Sequence, residues 1–483
     1  MAAVTPHDDG RMSEFEALMW ELERDPQLSS AFANLTVFDR PVDRKKFRAR
    51  MERAVMAVPR LRQKVVPSPA RLAPPEWRDD PLFDLDHHLR WVDLGGTADM
   101  DDLLHLVATL SRQPFDRTRP LWEFVVVEGL ADGRGAMVQR LHHTITDGEG
   151  GIRLSVQFLD FERDPAPPAE PAAGSGQPAD GNGSAGDEPQ GWWTRTADAL
   201  HHTVRERAGQ ALAATSALTS AAVHPDQLHQ RSAELTGVAR SALRQVKVDQ
   251  RHSPLWTERS LGRWFGVSQL RLDEVKDAAR ALGGSVNDFF IAGAAAASGR
   301  YHERAGRPVE TLRVSMPVST RHDRSAGGNA FSPTQSLVPT SEMDPTERFR
   351  LVHEVLAAVK AEKAIGAVQD AAGVVNLLPS LVVVRTGQRL AGSVDFVCSN
   401  VKAAPFDLFI GGAFMQANYP IGPIAGTAFN LTTMSYRGWM FLGLVVDTAA
   451  VGEPHALLDD LERAYAELLH AGGVTSPHFE LDV

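Results

Sequence analysis

Strand-like and helix-like patterns of apolar residues alternate along the first third of the chain. Phe124–Val127 and Ala136–His143 are rich in branched apolar residues, which is typical of strands. Asp43 predicts the start of a helix that continues to about Ala57 and ends before Pro59. A further helix is predicted after residue 148, because apolar residues recur at the spacing of one helical face at Ile152, Val156 and Leu159.

The same alternation resumes near residue 255 and continues to the end of the chain. Trp264–Leu272 is predicted to be a strand, and Asp273 is predicted to cap a helix that stops at Gly283-Gly284. Asp344 predicts the start of a helix over Pro345–Ile365. Asn430–Tyr436 and Trp439–Val446, joined through Arg437-Gly438, are predicted to form a hairpin. A last helix is predicted from Glu453-Pro454 to Gly472-Gly473.

A segment of different composition separates these two parts. Asp164–Gly191 holds six Pro and six Gly, with no aromatic residue and no Val, Ile or Leu. Such a segment buries too little apolar surface to offset chain entropy, so a disordered linker is predicted. Trp192–Val248 is rich in Ala and predicts one or two connecting helices. The predicted organisation is therefore a first α/β half at 1–163, a linker at 164–191, connecting helices at 192–254 and a second α/β half at 255–483.

Composition removes several classes of function. The chain has 483 residues, a net charge of −11 and one cysteine, Cys398, which we expect to be a small buried residue. A single cysteine excludes a disulfide framework and a Cys-based metal site. The acidic balance argues against nucleic-acid binding and against electrostatic docking onto anionic lipid. With neither a signal-like N-terminus nor an apolar run of about 18–20 residues, a cytoplasmic location is expected.

The strongest chemical signal is the run Leu-His-His-Thr-Ile-Thr-Asp-Gly at residues 141–148. Neighbouring side chains of a strand face opposite ways, so one histidine can face a cavity while the other is held by the protein. A neutral imidazole is suited to deprotonating an alcohol near pH 7, and His143 is the candidate base. Asp147 would either fix the tautomer of a histidine or stabilise the turn.

The residues alone also allow this run a purely structural role. Two more histidine pairs, His87-His88 and His201-His202, lack the following Asp-Gly, and a bare pair is usually structural. A metal site is less favoured, since His143 and Asp147 would supply at most two ligands and the sequence has no HExxH motif. It has no nucleophile elbow and no P-loop either, so covalent catalysis has little support.

Taken in order, the motifs resemble those of the bacterial wax ester synthase/diacylglycerol acyltransferase family. That family belongs to the superfamily of CoA-dependent acyltransferases and non-ribosomal condensation domains. The resemblance extends from about residue 12 to residue 470, apart from the linker. It is carried by HHxxxDG at 142–148 and by the blocks Met12–Met19, Val58–Arg62, Phe83–Leu89, Pro120–Glu123, Ser285–Asp288, Pro317–Arg321 and Gly328-Asn329.

The resemblance implies an α/β fold of two chloramphenicol-acetyltransferase-like domains, side by side, with the active-site channel at their interface. His143 would be the general base on the acceptor hydroxyl, which would attack the thioester of acyl-CoA directly. Acyl-CoA is then a co-substrate, and neither a cofactor nor a metal is expected. His142 and Asp147 would be mainly structural, the latter paired with Arg321, and Gly148 would support the same turn.

Three further motifs carry expectations of their own. Asn287 and Asp288 would support the site from the second domain, although a plain helix N-cap accounts for them equally well. Pro120-Leu121-Trp122 is expected to pack in the core. Asn400 begins a stretch where the family has Asn-Val-Pro-Gly-Pro, but here Lys402, Ala403 and Ala404 replace the Pro-Gly-Pro. Because alanine does not share the conformational freedom of glycine, we expect this turn to differ in shape.

The family's substrates define the expected partners. They are acyl-CoA and either diacylglycerol or a long-chain fatty alcohol, with peripheral contact at a membrane or lipid droplet. Trp192-Trp193, followed by Arg195, Arg205 and Arg207, would form either an interfacial helix or a helix packed across the domains. Monomer and homodimer both remain open. Two alternative functions are the same chemistry on another alcohol and lipid binding without turnover.

Overall fold

The computed structural model describes the two α/β halves and leaves the region between them undescribed. The described residues are 10–71, 73–146, 151, 154–165, 251–319, 331–361 and 379–475. Asp147, Gly148, Arg321 and the Gly328-Asn329 pair therefore lie outside the described residues, as do the predicted linker from residue 166 onward and the connecting helices up to residue 250. The described part contains two six-stranded sheets and one two-stranded sheet.

The first half supplies four strands of the first large sheet. The predicted strand over 136–143 is β6, and all of its residues are buried. The predicted strand over 124–127 is the centre of β5, which pairs with β6 in antiparallel fashion. The strands of this half are β1 (Ala31–Phe38), β2 (Gln63–Val66), β3 (Glu76–Asp79), β4 (Leu89–Ala98), β5 (Trp122–Leu130) and β6 (Gly135–His142). Of these, β2 and β3 form the small separate sheet.

The second large sheet has the strand order β7-β14-β13-β10-β8-β9. The predicted hairpin is β13 and β14, which pair in antiparallel fashion from Phe429↔Val446 to Tyr436↔Trp439. Its turn residues Arg437 and Gly438 both have positive φ, 49° and 79°, as a two-residue hairpin turn requires. The strands are β7 (Arg263–Arg271), β8 (Thr311–Ser319), β9 (Phe331–Pro339), β10 (Phe396–Lys402), β11 (Phe409–Ile410), β12 (Ala413–Ile421), β13 (Phe429–Tyr436) and β14 (Trp439–Asp447).

Two strands of the second half belong to the first sheet. The order of that sheet is β11-β12-β1-β6-β5-β4, so β11 and β12 extend it beyond β1. β12 pairs with β1 in antiparallel fashion from Ala33↔Ile421 to Phe38↔Met415, with one irregularity near Val37. The predicted division at 255–483 therefore fails for residues 409–421, which leave the second half and complete the sheet of the first.

β12 also forms the junction between the two large sheets. It packs across β13 and β14, and a Cβ added at Gly443 of β14 would overlap the carbonyl oxygen of Pro420. Tyr419 Oη donates a hydrogen bond to Gln269 Oε1 of β7, 2.8 Å away. The two sheets thus meet at a backbone-to-backbone crossing that only a residue without a side chain allows.

The helices begin largely where local signals predict. Asp43 caps the second helix through the backbone N–H groups of Lys45 and Lys46. Asp344 accepts hydrogen bonds from the N–H groups of Thr346 and Glu347 in the same way. The helices are α1 (Glu14–Leu22), α2 (Arg44–Ala57), α3 (Leu85–His88), α4 (Met100–Ser111), α5 (Leu272–Ala281), α6 (Val286–Arg304), α7 (Pro345–Ala361), α8 (Ser380–Gly392) and α9 (Pro454–Ala471).

One predicted cap is wrong. The N-cap of α5 is Arg271, with no side-chain hydrogen bond, and Asp273 lies inside the first turn. Asp273 pairs there with the Arg271 guanidinium, at 3.1 Å between Oδ2 and Nη2. The helix begins two residues earlier than predicted, because β7 ends at Arg271 and leads into it without an intervening loop. Among the described helices, none is long and apolar enough to cross a lipid bilayer.

Candidate active site

The two adjacent histidines lie where β6 ends. His142 is the last residue of the strand, and its N–H donates to the Leu121 carbonyl oxygen at 3.0 Å. His143 begins the following turn, and its N–H donates to the Ser30 carbonyl oxygen at 3.2 Å. Because these bonds tie the turn to residues on both sides of β6, the backbone of both histidines is fixed by the sheet.

His142 is held by the protein. Its side chain is 1% exposed, and its Nδ1 accepts a hydrogen bond from the Thr144 N–H at 3.2 Å. With Nδ1 as acceptor, the proton of a neutral ring is on Nε2, which lies 3.0 Å from the Glu23 carboxylate. These contacts hold the His142 ring in place, and a mainly structural role stays a prediction that the family resemblance implies for this residue.

Glu23 is a residue of this site that no sequence motif marks. Its carboxylate accepts hydrogen bonds from His142, from Ser29 Oγ at 2.6 Å and from the Ser30 N–H at 2.8 Å. Burial by itself would raise the pKa of Glu23, but the hydrogen bonds from His142, Ser29 and Ser30 hold it below its ordinary 4.5. Because Ser30 also binds the His143 N–H, Glu23 is linked to the backbone of both histidines.

Replacing Glu23 with glutamine is expected to lower the free energy of unfolding at pH 7 by about 1–3 kcal/mol, because a carboxamide cannot accept all three donors. The lowered pKa of Glu23 means that its contribution is complete above about pH 4.5 and is lost as the pH falls through the lower folded value. Urea unfolding at pH 7 and at pH 4 measures both effects.

The matched control for this prediction is Glu52→Gln. Glu52 is exposed on α2 and pairs with Arg48 one helical turn away, so its replacement should change stability by less than about 0.5 kcal/mol. If Glu23→Gln and Glu52→Gln have the same stability at pH 7, Glu23 does not hold the histidine turn in place.

His143 lies on the opposite side of the sheet from His142. Its ring packs against the Phe32 ring, with 4.5 Å between the centroids, and its side chain is partly exposed. Phe32 stands opposite Leu141 on β6, whereas Ala31 stands opposite His142. Since alternate residues of a strand share a face, the His143 ring and the His142 ring have different surroundings.

A row of buried and half-buried polar side chains follows β1 on the His143 face. Asn34 and Thr36 continue the face that begins at Phe32, and Gln139 and Asn418 lie beside them on β6 and β12. Thr36 Oγ1 donates to Asn418 Oδ1 at 3.1 Å, and Asn34 Nδ2 binds the same oxygen. Asn418 Nδ2 reaches Met434 Sδ of β13 at 3.1 Å. We call Asn34, Thr36, Gln139 and Asn418 the polar strip, and it faces the second sheet.

An open cleft lies on the His142 face. Apolar residues of both halves form much of its wall, including Trp20, Phe115 and Ile421. Arginine side chains from several different segments also line it, namely Arg112 at the end of α4, Arg117, Arg140 and Arg263 of β7. We call this the cationic cleft. No pattern in the sequence singles out these arginines.

Arg263 of the cationic cleft pairs with a carboxylate at the end of β14. Arg263 lies 3.7 Å from the Asp447 carboxylate. Burial lowers the pKa of the Arg263 guanidinium, Asp447 opposes that effect, and the positive charge of Arg112 lowers the pKa further.

Comparison with known families identifies the chain. Residues 12–290 match the sequence profile of the wax ester synthase/diacylglycerol acyltransferase catalytic domain, and residues 327–469 match that of the C-terminal domain of the same family. The chain belongs to this family. A putative diacylglycerol O-acyltransferase of Mycobacterium tuberculosis is 33% identical over 478 residues, which is 98% of this chain and 94% of the relative. A probable one from the same organism, tgs1, is 27% identical over 92% of each chain.

Solved structures with low sequence identity share the fold. The wax ester synthase/diacylglycerol acyltransferase of Marinobacter aquaeolei VT8 matches 96% of this chain and 100% of that one, with a TM-score of 0.62 and 21% identity. The first condensation domain of the calcium-dependent antibiotic synthetase matches 96% of both chains, with a TM-score of 0.57 and 14% identity. The predicted family and the predicted two-domain α/β fold are both confirmed.

Three of the motif blocks, Val58–Arg62, Phe83–Leu89 and Pro120–Glu123, come together in the core of the first half. Trp122 of the Pro-Leu-Trp block is 1% exposed, and its indole N–H donates to the Leu61 carbonyl oxygen at 2.7 Å. His88 stacks on the Trp122 ring and lies 2.8 Å from the Trp122 carbonyl oxygen through Nδ1. Burial lowers the pKa of His88 to about 4, so this histidine is neutral. The Pro-Leu-Trp block and His88 thus contribute to core packing, whereas His87 is exposed.

The Asn287-Asp288 motif of the family lies at the start of α6. Ser285 is the N-cap and Asp288 completes a capping box, with its carboxylate 2.7 Å from the Ser285 N–H. His353 of α7 is 3.0 Å from the same carboxylate. Burial would raise the pKa of Asp288, but the hydrogen bonds of His353 and Ser285 hold it below its usual range. Asp288 therefore caps α6 and links it to α7, while Asn287 is half-buried beside it.

Asn400 does not belong to the polar strip. It lies on β10 on the same side as Cys398, which is buried in the core of the second half, and its own side chain is exposed. Ser399 shares the opposite face with Thr432 of β13. In the altered family turn, the Ala403 N–H donates to the Ser435 carbonyl oxygen at 3.0 Å, which continues the pairing of β10 with β13.

Proposed function

We propose that this protein is an acyl-CoA-dependent O-acyltransferase that transfers a long-chain fatty acyl group to the hydroxyl of diacylglycerol, a long-chain fatty alcohol, or both. The observation that carries the proposal is the position of His143. It follows the end of a buried strand and packs against Phe32 on the face that carries the polar strip, while its neighbour His142 lines the cationic cleft. Membership of the family gives the reaction class, and the names of the relatives give diacylglycerol as the first acceptor to test.

In the proposed reaction His143 accepts the proton of the acceptor hydroxyl. The oxygen then attacks the thioester carbonyl, the carbon–sulfur bond breaks, and the CoA sulfur leaves with the proton that His143 has taken. The products are an ester and free CoA, so the step is balanced without an acyl-enzyme, a metal or a cofactor. A positioned base of this kind contributes roughly 10²–10⁴-fold to the rate.

The polar strip supports an acceptor that carries hydrogen-bonding groups. Three of its four side chains are buried and the fourth, Asn34, is half-buried, on a face that also carries Phe32 against the His143 ring. Among the described contacts, Asn34 Oδ1 is buried without a donor. A hydroxyl group placed there would satisfy it, because a buried acceptor without a donor is costly.

The proposed substrates are lipids, so the protein must reach a lipid surface to bind them. Leu381 and Val382 are exposed at the start of α8, and Phe161 and Phe406 are exposed together with 5.7 Å between their ring centroids. Exposed apolar side chains of this size are suited to peripheral contact with a membrane or a lipid droplet. Because Lys402, Ala403 and Ala404 replace the Pro-Gly-Pro of the family turn, other alcohols belong among the acceptors to be tested.

The test measures release of free CoA from palmitoyl-CoA with a thiol reagent, in the presence of dipalmitoylglycerol, hexadecanol or no acceptor. We expect release that depends on the acceptor, with one ester formed per CoA. Release without an acceptor would identify a thioesterase instead. Saturable binding of diacylglycerol without any release, by protein shown to be folded, would identify a lipid-binding homologue and contradict the proposal.

A further inference from the structure

A second cavity lies where the two halves meet, away from the histidines. It holds about 300 Å³ of space and shares none of its lining residues with the cationic cleft. The cleft contains Arg263 from the start of β7, whereas this cavity contains Arg271 from the end of the same nine-residue strand. At about 3.3 Å per residue these two positions are roughly 26 Å apart. We call this cavity the junction pocket, and its wall includes Arg134, Arg271, Phe414, Tyr419, Arg437 and Trp439.

Three arginines from three different segments line the junction pocket. Arg134 comes from the turn between β5 and β6, Arg271 from the end of β7, and Arg437 from the turn between β13 and β14. Among the described residues that line the pocket, none is Asp, Glu or His. The charged groups in this part of the wall therefore all carry a positive charge.

The carboxylates that pair with these arginines lie outside the pocket wall. Each of the three carboxylate side chains is at least 48% exposed, so water screens the pairs strongly. For Arg134, Arg271 and Arg437 in turn, the partners are Asp132, Asp273 and Asp407. An anion inside the pocket would therefore meet the guanidinium groups without a carboxylate of the same wall beside it.

Two of the three arginines keep most of their hydrogen-bond donors. Arg134 and Arg437 bind their carboxylates through Nε. Neither residue has a hydrogen-bond acceptor for its Nη groups among the described parts of the chain. The planar array of Nη–H donors matches a carboxylate or a phosphate. The pocket thus offers donors for an anion that its own neighbours do not use.

The rest of the wall is apolar and well ordered by packing. The Arg271 guanidinium lies over the Trp439 ring, 5.3 Å from its centroid, and that of Arg437 lies over the Phe414 ring at 4.5 Å. Trp439 is 7% exposed, and aliphatic side chains of β1 and α4 complete the wall. Pockets that bind small molecules are mostly apolar with a few placed polar groups. A matching ligand has one anionic head and an apolar chain.

We propose that the junction pocket binds a single-chain lipid with an anionic head, a carboxylate or a phosphate. The head meets Arg134 and Arg437, and the chain packs against Phe414 and Trp439. This inference goes beyond the proposed function and does not depend on acyl transfer. Because the pocket is built from both halves and from β12, its ligand also stabilises the junction between them.

The test measures calorimetric binding of decanoate, decyl phosphate, decanol and acetate to the full chain, below the concentrations at which the amphiphiles form micelles. We expect decanoate, decyl phosphate or both to bind, and Arg134→Gln and Arg437→Gln each to raise the Kd about tenfold, because charged hydrogen bonds are lost. Decanol has no charge and should bind the variants and the unchanged protein alike. Acetate has no chain and should bind at least about 100-fold more weakly than decanoate.

Arg280→Gln is the matched control. It makes the same change of charge on the exposed face of α5, where Arg280 pairs with Asp277, and should leave the Kd for both anionic lipids unaltered. Melting temperatures without ligand show whether each variant is folded. An excess of the bound lipid should raise the melting temperature of the unchanged protein and of Arg280→Gln more than that of the two pocket variants.

The outcomes separate this inference from the proposed function. Equal Kd values for the folded pocket variants and the unchanged protein would place the anion elsewhere and overturn the inference, whether or not acyl transfer occurs. Acetate binding as tightly as decanoate would mean an adventitious anion only and would also overturn it. If no acceptor is acylated but both pocket variants bind the anionic lipid about tenfold more weakly, the pocket is right and the proposed reaction is wrong.

Discussion

Replacing His143 with alanine is expected to lower acceptor-dependent CoA release by roughly 10²–10⁴-fold, the range that a positioned general base contributes. The ring is partly exposed and packs against Phe32 on the face that carries the polar strip. Its backbone N–H remains bound to the Ser30 carbonyl oxygen in the variant, so the turn should keep its shape. The loss should therefore appear in kcat, with little change in the KM for palmitoyl-CoA.

The matched control for this variant is His87→Ala. His87 is an exposed histidine of another adjacent pair, and its replacement should leave the rate unchanged. Thermal unfolding of both variants distinguishes a lost base from a lost fold. Near-normal turnover by folded His143→Ala would show that another group removes the proton of the acceptor.

Replacing Gly443 with alanine is expected to lower the free energy of unfolding by about 3 kcal/mol, which is at the upper end of the usual cost of overpacking. A Cβ at this position overlaps the Pro420 carbonyl oxygen and also meets a ring carbon of Phe265 at 3.2 Å. The first of these atoms is backbone and is held by β12, so no side-chain rotation relieves the clash. The crossing of the two sheets must open instead.

Urea unfolding measures this loss, and Gly452→Ala provides its control. A Cβ built at Gly452 meets nothing within 4 Å, so that variant should be as stable as the unchanged protein. CoA release by Gly443→Ala should fall together with stability, because the crossing sets the distance between the polar strip and the second sheet. Equal unfolding curves for the two glycine variants would mean that β12 moves away from β14 without cost.

Local features of the fold could be predicted because each is encoded within a few neighbouring residues. The cap at Asp43, the turn at Arg437-Gly438 and the stop at Gly283-Gly284 are examples. The prediction of a cap at Asp273 was wrong because an acidic residue is common both at the N-cap and within the first turn of a helix. The preceding strand β7 decided where this helix begins. The place of β12 in the first sheet has no local signal at all, since Asn34 and Asn418 are 384 positions apart.

The same distinction applies to the candidate site. The histidine pair stands out as a motif because its chemistry lies in adjacent residues. Glu23 reaches His142 from 119 positions away, and a single glutamate after a helix has no pattern that marks it. The cationic cleft combines α4 with β7, so its charges come together only after both halves have folded. The alternation of Asn34 and Thr36 in an apolar strand was the one available signal for the polar strip.

The strand exchange restricts how proteins of this kind can be recombined in evolution. A chimera that joins the first half of one family member to the second half of another brings a foreign β12 against β1. Its residues must still match the register from Ala33↔Ile421 to Phe38↔Met415 and the crossing at Gly443. The sequence divides into two halves, but β1, β12 and β14 must be inherited together. A viable chimera therefore takes these three strands from one parent.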